Sequence, residues 1–221
     1  MKTKRNFFQT GLLCAVVLHT FTSGAQTVTK IAAGGNHSLF LKSDGSLWAM
    51  GYNGYGELGD GSFNNTNRPK QIIASNVTTI AGGDYHSLYL KDDGSLWVMG
   101  DNSYGQLGDD IYSPNPFFGL GISTPTPEMI VASNATAIAG GTGDSLFLKN
   151  DGSLWGMGWN TFGELGIGSD IWTNHPVPIL ASNVAAIATA NSYPDIHCLL
   201  VKSNGSLWGM GADDNGELGK R

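Results

Sequence analysis

Apolar and polar residues alternate in short runs along this chain, and glycine, asparagine and aspartate interrupt each run within a few residues. The pattern is clearest between residues 76 and 132. Residues 76–83 form a β-prone run that ends in glycines. In His86-Ser87-Leu88-Tyr89-Leu90-Lys91 the period of two puts Leu88 and Leu90 on one face of a strand. Asp93-Gly94 then predicts a two-residue hairpin of the primed type, which joins twisted antiparallel strands. Residues 95–100 make the return strand. A glycine-rich connection over 101–108 leads into a variable loop, and residues 129–132 form a fourth short strand after a proline. The unit reads as a four-stranded antiparallel meander. Helix signals are nearly absent outside the N-terminus, which makes the chain all-β.

The meander recurs. Asp44-Gly45-Ser46-Leu47-Trp48 is repeated at Asp93–Trp97 and Asp151–Trp155, and as Asn204-Gly205-Ser206-Leu207-Trp208. The tryptophans are 49, 58 and 53 residues apart, and each copy is followed by a Gly-Glu/Gln-Leu-Gly block. Repeats of about fifty residues, each a four-stranded meander, predict β-propeller blades. The units span about 28–75, 76–133, 134–182 and 183–221, giving three full blades and a partial fourth. Gly34/Gly35, Gly82/Gly83 and Gly140/Gly141 mark an inner strand that runs close to its neighbours. The fourth unit departs here with Ala188-Thr189-Ala190 and an insertion, Ser192-Tyr193-Pro194-Asp195. An incomplete ring has two explanations, a fragment of a longer propeller or self-association through open propeller edges, and the first is favoured.

The combined pattern is Ile-Ala-x-Gly-Gly-x-x-His-Ser-Leu-x-Leu-Lys-x-Asp-Gly-x-Leu-Trp-x-Met-Gly-x-Asn-x-x-Gly-Glu-Leu-Gly. It resembles the regulator-of-chromosome-condensation repeat over residues 28–219. The resemblance implies a β-propeller, usually of seven blades. The family includes a nuclear exchange factor for a small GTPase, plant UV-B photoreceptors and a secreted bacterial β-lactamase inhibitory protein, so the fold does not fix the activity.

The N-terminus reads as a secretory signal. Lys2, Lys4 and Arg5 precede an apolar run over 11–18, and Ser23-Gly24-Ala25 supplies small residues for cleavage near Ala25. The expected destination is extracellular or periplasmic. The apolar run is too short for a permanent membrane span, and bulky Leu13 before Cys14 disfavours a lipid anchor. Removal of residues 1–25 leaves 9 basic and 18 acidic residues, a net charge of −9. That disfavours a nucleic-acid partner, which needs clustered lysine and arginine, and none is expected. Cys198 is then the one remaining cysteine; it lies in an apolar run and reads as a buried, inert thiol.

Residues shared by every copy are read as architecture. His37, His86 and His197 occupy equivalent places before the second strand, with Asp144 in the third unit, and suit a hydrogen-bonded structural role. Glu57, Gln106, Glu164 and Glu217 fill one slot; Gln106 carries no charge, so the slot needs an acceptor of that shape to pin the glycine-rich turn. Trp48, Trp97, Trp155 and Trp208 suit packing between neighbouring blades. A sialidase-like reading fails on the adjacency of Ser43, Asp44 and Gly45 and on the scarcity of arginine, which also argues against light sensing. Asp60, Asp109, Asp110 and Asp170 read as turn aspartates without a complete calcium loop. No metal site, cofactor or catalytic set is expected.

Residues that break the repeat are the binding candidates. Tyr112, Phe117 and Phe118 lie among prolines in the longest loop, and Trp159 and Trp172 are the tryptophans of the mature chain outside the repeat position. Aromatic residues on stiff loops make protein-binding anchors. The leading expectation is therefore a non-catalytic secreted scaffold with an unknown protein partner. Glycan or cell-envelope binding through the same aromatics is the alternative. Guanine-nucleotide exchange on a small GTPase is carried by family analogy alone.

Overall fold

The protein is described here from a computed structural model covering residues 26–111, 122–191 and 196–219. The signal-like N-terminus, Tyr112, Phe117, Phe118 and the insertion at 192–195 lie outside the described residues. Every regular element among the described residues is a strand. Blade 1 holds β1 (Val28–Ala33), β2 (His37–Lys42), β3 (Leu47–Gly51) and β4 (Thr66–Ile73). Blade 2 holds β5 (Val77–Gly82), β6 (His86–Lys91), β7 (Leu96–Gly100) and β8 (Thr124–Val131). Blade 3 holds β9 (Ala135–Gly140), β10 (Asp144–Lys149), β11 (Leu154–Gly158) and β12 (Thr173–Leu180). Blade 4 shows β13 (Val184–Thr189), β14 (His197–Lys202) and β15 (Leu207–Gly211). Each sheet is an antiparallel meander in chain order, and consecutive blades pack face to face in an open arrangement.

The alternation along the second strand builds the core. Leu39 and Leu41 of blade 1 point forward and are covered by Val77, Ile80, Tyr89 and Met99 of blade 2. Leu88 and Leu90 point forward onto Phe147 and Met157 of blade 3, while Tyr89 between them points back. Leu146 and Leu148 repeat the arrangement against Val184, Cys198 and Leu200 of blade 4. The core is thus three slabs between blades, so each blade folds on its neighbour. At blade 4 the forward face has no following blade among the described residues: Leu207 is 67% exposed, whereas Leu47, Leu96 and Leu154 are fully buried. The glycine pairs are sterically required. A Cβ on Gly82 would stand 2.8 Å from Gly34 N and 2.9 Å from Ala33 O.

Two local expectations are corrected. The hairpin at Asp93-Gly94 is not a two-residue primed turn. Gly94 N donates to Lys91 O (3.0 Å) and Lys91 N donates to Ser95 O (3.1 Å). Gly94 is left-handed (φ 76°), while Asp93 is not. This is a three-residue loop closed by a glycine bulge. Asp93 Oδ1 instead accepts from Ser95 N (2.8 Å), and the Gly94 carbonyl turns outward to accept from Ala135 N of blade 3 (3.0 Å). The bulge therefore ties one blade to the next. The fourth strand of blade 2 begins at Thr124 and runs through Pro125 and Pro127, rather than starting at Met129. Proline is tolerated because β8 is the outer edge of its sheet and needs no outward N–H.

Candidate functional site

The second strand begins, and the third ends, at what we term the upper end of each blade; the β2–β3 type of hairpin marks the lower end. At the upper end the repeated histidines join blades. His37 Nε2 lies 2.8 Å from Ser87 Oγ of blade 2, and Ser87 Oγ donates to the Glu57 carbonyl (2.8 Å). The hydroxyl has one proton and gives it to the carbonyl, so His37 Nε2 must be the donor to Ser87. His86 Nε2, Ser145 Oγ (2.9 Å) and the Gln106 carbonyl (2.8 Å) repeat the relay one junction along. Burial holds both imidazoles neutral, lowering His37 to about 4 and His86 to about 3.

The third junction inverts this polarity. Asp144 replaces the histidine and Cys198 replaces the serine. The Cys198 thiol donates to Asp144 Oδ2 at 3.5 Å, so the strand-start residue now accepts. Both side chains are fully buried, and Asp144 Oδ1 has no hydrogen-bond partner. Burial raises Asp144 to about 7, and it raises the Cys198 thiol well above its ordinary value. Sequence reasoning marks Asp144 in place of a histidine and Cys198 as a buried thiol, but misses that Cys198 replaces the serine and that the two pair across blades.

The loop after the third strand is a rigid frame. Asn53 Oδ1 accepts from Leu58 N (2.9 Å), and Asn53 Nδ2 donates to Ser62 O (2.8 Å). Asn160 does the same with Leu165 N (2.8 Å) and Ser169 O (2.7 Å). The Glu/Gln slot closes the same turn: Glu57 Oε2, Gln106 Oε1, Glu164 Oε2 and Glu217 Oε2 accept from the backbone N two residues earlier at 2.9, 2.9, 2.9 and 3.0 Å. Burial raises the Glu57 and Glu164 carboxyls.

Aromatic side chains stand on this frame. Tyr55 lies 5.1 Å from Tyr85 of blade 2 and 6.2 Å from Tyr52. At the next junction Gly143 takes the place of Tyr85, and a Cβ there would come within 2.8 Å of the Tyr104 ring. The missing side chain lets Tyr104 approach Trp159 to 4.1 Å. Trp172 completes the cluster, edge-on to Tyr104 at 5.2 Å and tilted against Trp159 at 5.4 Å. Trp172 Nε1 donates to Thr161 Oγ1 (2.7 Å), which fixes the indole. Asp170 lies two residues before Trp172 on the same loop, and Asp110 N donates to Asn174 O (2.9 Å), which holds the Asp110 backbone beside the start of β12, two residues beyond Trp172. Trp159 and Trp172, distant in sequence from Tyr104, are thus brought together with it; Tyr104 was missed because its slot is aromatic in three of the four units.

The repeat tryptophans lie at the lower end. Trp48, Trp97, Trp155 and Trp208 donate through Nε1 to the Ser46, Ser95, Ser153 and Ser206 hydroxyls at 2.9, 2.9, 2.9 and 3.0 Å. Trp97 packs on the core between blades 1 and 2, and Trp155 on the core between blades 2 and 3. Lys42, Lys91, Lys149 and Lys202 each place an ammonium 3.7–4.0 Å from the matching ring. Among the described residues no three His, Cys, Asp or Glu side chains are grouped to hold a metal ion, and no helix is long and apolar enough to cross a membrane.

The chain is 28% identical over 199 residues to the ultraviolet-B receptor UVR8 of Arabidopsis thaliana, a match covering 87% of this chain and 43% of that protein. The crystal structure of human WBSCR16 aligns with a TM-score of 0.73 at 26% identity, covering 86% of this chain and 49% of that one. Prp20p of Saccharomyces cerevisiae aligns at 0.71 and 24% identity over 87% of this chain and 46% of its own, and shares the fold. The chain therefore spans less than half the length of these relatives. The Regulator of chromosome condensation (RCC1) repeat matches residues 28–57 and 77–106 in one form, and 44–90 and 151–193 in a second. With these matches on a meander of repeated blades, the chain belongs to the RCC1 repeat family.

Proposed function

We propose that this chain is a non-catalytic, secreted RCC1-repeat protein that recognises another protein through the upper-end loops of its blades. The observation carrying this reading is the Tyr104–Trp159–Trp172 cluster. It is built from two blades, on loops whose backbones are already pinned, and Trp159 and Trp172 lie outside the repeat pattern. Folding explains residues present in every copy; it does not explain two tryptophans present in one. Half-buried aromatics on a stiff frame lose little entropy on docking and make interface anchors. The repeated polar residues are engaged in blade-to-blade and turn hydrogen bonds, which supports a binding role over a catalytic one. The basic, apolar and small-residue order of residues 1–25 supports export.

A photo-crosslinking side chain at position 172 tests the reading, with position 93 at the lower end as control. One discrete protein adduct at 172, absent at 93, is expected when the exported protein is exposed to its native surroundings. Equal adduct patterns at both positions, or none at 172, overturn it. N-terminal sequencing of the exported protein checks cleavage, with Gln26 expected first.

A further inference from the structure

The two ends of the blades differ in charge. The described upper-end loops hold eleven acidic residues and neither lysine nor arginine. Some of these acids are engaged: Glu57, Glu164 and Asp101 are buried, and Asp60 is bonded to Lys70 Nζ (2.6 Å). Asp110 and Asp170, on the loops that carry Tyr104 and Trp172, face solvent, the Asp110 side chain being 82% exposed. His175 Nδ1 stands 3.7 Å from Asp110 Oδ1. Lys42, Lys91, Lys149 and Lys202 lie at the opposite end of six-residue strands, over their tryptophans. Six residues of strand span about 17 Å, roughly two screening lengths at physiological salt, so these ammonium groups do not neutralise the upper end.

We propose that the Tyr104–Trp159–Trp172 cluster, with Asp110 and Asp170 beside it, is a docking surface for a lysine- or arginine-bearing segment of a partner protein. This rests on the protein-recognition reading above and names the partner's chemistry. The three rings pack directly on one another, so they form a platform and not a cage. A cation laid on the outer ring faces meets negative π density, and the flanking carboxylates reach its N–H groups. A nucleic acid meets only like charge here. A neutral sugar would stack on the rings without drawing on the carboxylates.

Fluorescence anisotropy with three labelled twelve-residue peptides tests the surface, using Gly-Ser-Lys, Gly-Ser-Ser and Gly-Ser-Glu repeats as probes. The lysine peptide is expected to bind at least tenfold more tightly than the neutral one, and to weaken severalfold between 50 and 200 mM salt, roughly as steered charge contacts do. Trp172→Ala and Asp170→Asn are each expected to weaken it by roughly threefold or more. Asp93→Asn at the lower end is expected to leave it unchanged. Asp170 is exposed, so Asp170→Asn keeps the fold even if Trp172→Ala does not. Equal binding of lysine and neutral peptides, or equal loss from Asp93→Asn and Asp170→Asn, overturns the proposal. A neutral peptide or a glycan whose binding is lost on Trp172→Ala also overturns it; with the peptide, recognition of proteins at the cluster stands.

Discussion

Replacing Asp144 by asparagine makes the third blade junction more stable, by an amount that grows with pH. Asparagine keeps an acceptor for the Cys198 thiol and removes the buried charge. Burial lifts the carboxyl from its ordinary 3.8 to about 7 in the fold. The folded value lies above the unfolded one, so the stability held by protonated Asp144 is complete below pH 4. It drains as pH rises and is gone above 7. At about 1.4 kcal/mol per pK unit the whole loss is about 4 kcal/mol, and about 3 kcal/mol of it falls between pH 5 and 8. The groups facing Asp144 do not offset it. Cys198 donates one weak bond and the Asp144 and Gly143 backbones favour the charged form slightly, but burial outweighs them and the Glu164 carboxyl adds like charge. Urea unfolding of wild type and Asp144→Asn at pH 5, 6, 7 and 8 measures the difference. His37 and His86 are common to both proteins and cancel. A second variant, Asp144→His with Cys198→Ser, rebuilds the relay of the other junctions and should be similarly stabilised at pH 8. A stability difference that stays flat across this range, or shrinks as pH rises, refutes the reasoning.

The histidines act in the opposite direction: their folded values lie below 6.5, so stability present above that pH is lost as it falls towards 4, and urea midpoints should drop across that window. Ser145→Ala strands both the His86 Nε2–H and the Gln106 carbonyl, and should cost about 2–4 kcal/mol in the same assay. Gly82→Ala drives a methyl into the backbone of Gly34, and should cost about 2 kcal/mol or more, seen as a lowered melting temperature. Glu164→Gln keeps the acceptor for Phe162 N but lacks the partner that Asp101 Oδ2 gives Gln106 Nε2, since Trp159 stands in that place, so it should cost about 1–3 kcal/mol by calorimetry; a neutral result would count against that assignment.

The meander was legible because its signals are local. Alternation in 86–91, the glycine at each bulge and the repeated tryptophan each report on a few residues of one blade. The turn type was misread because Asp-Gly suits two hairpins. The choice is local: the loop at Asn204-Gly205 closes in the same way (Gly205 N to Lys202 O, 2.8 Å) with no blade beyond it among the described residues, and in blade 2 the Gly94 carbonyl then serves Ala135 N. The start of β8 was misread because proline argues against a strand until the strand is known to be an edge. The aromatic cluster was half legible. Trp159 and Trp172 stand out as departures from the repeat, but Tyr104 joins them only because Gly143 leaves room. Pairing across a junction is not local, so no window along the chain contains it.

The same division explains why binding residues can vary on this frame. Each core slab is shared by two neighbouring blades, so the strands are constrained in every copy, and the histidine relay is kept at two of the three junctions. The upper loops are held by a few bonds to backbone atoms. Asn160 grips the Ser169 and Ile171 carbonyls whatever side chains those residues carry, and the frame ends one residue before Trp172. A side chain at 172 is therefore aimed by the backbone but not selected by it. Changing it alters the surface without touching a core slab, whereas changing Asn160 would release the loop and the cluster together. The aromatic, acidic surface at the second junction is then, among the described residues, the part least explained by folding, and exposed Asp170 on it is the position whose substitution should alter recognition while leaving stability nearly unchanged.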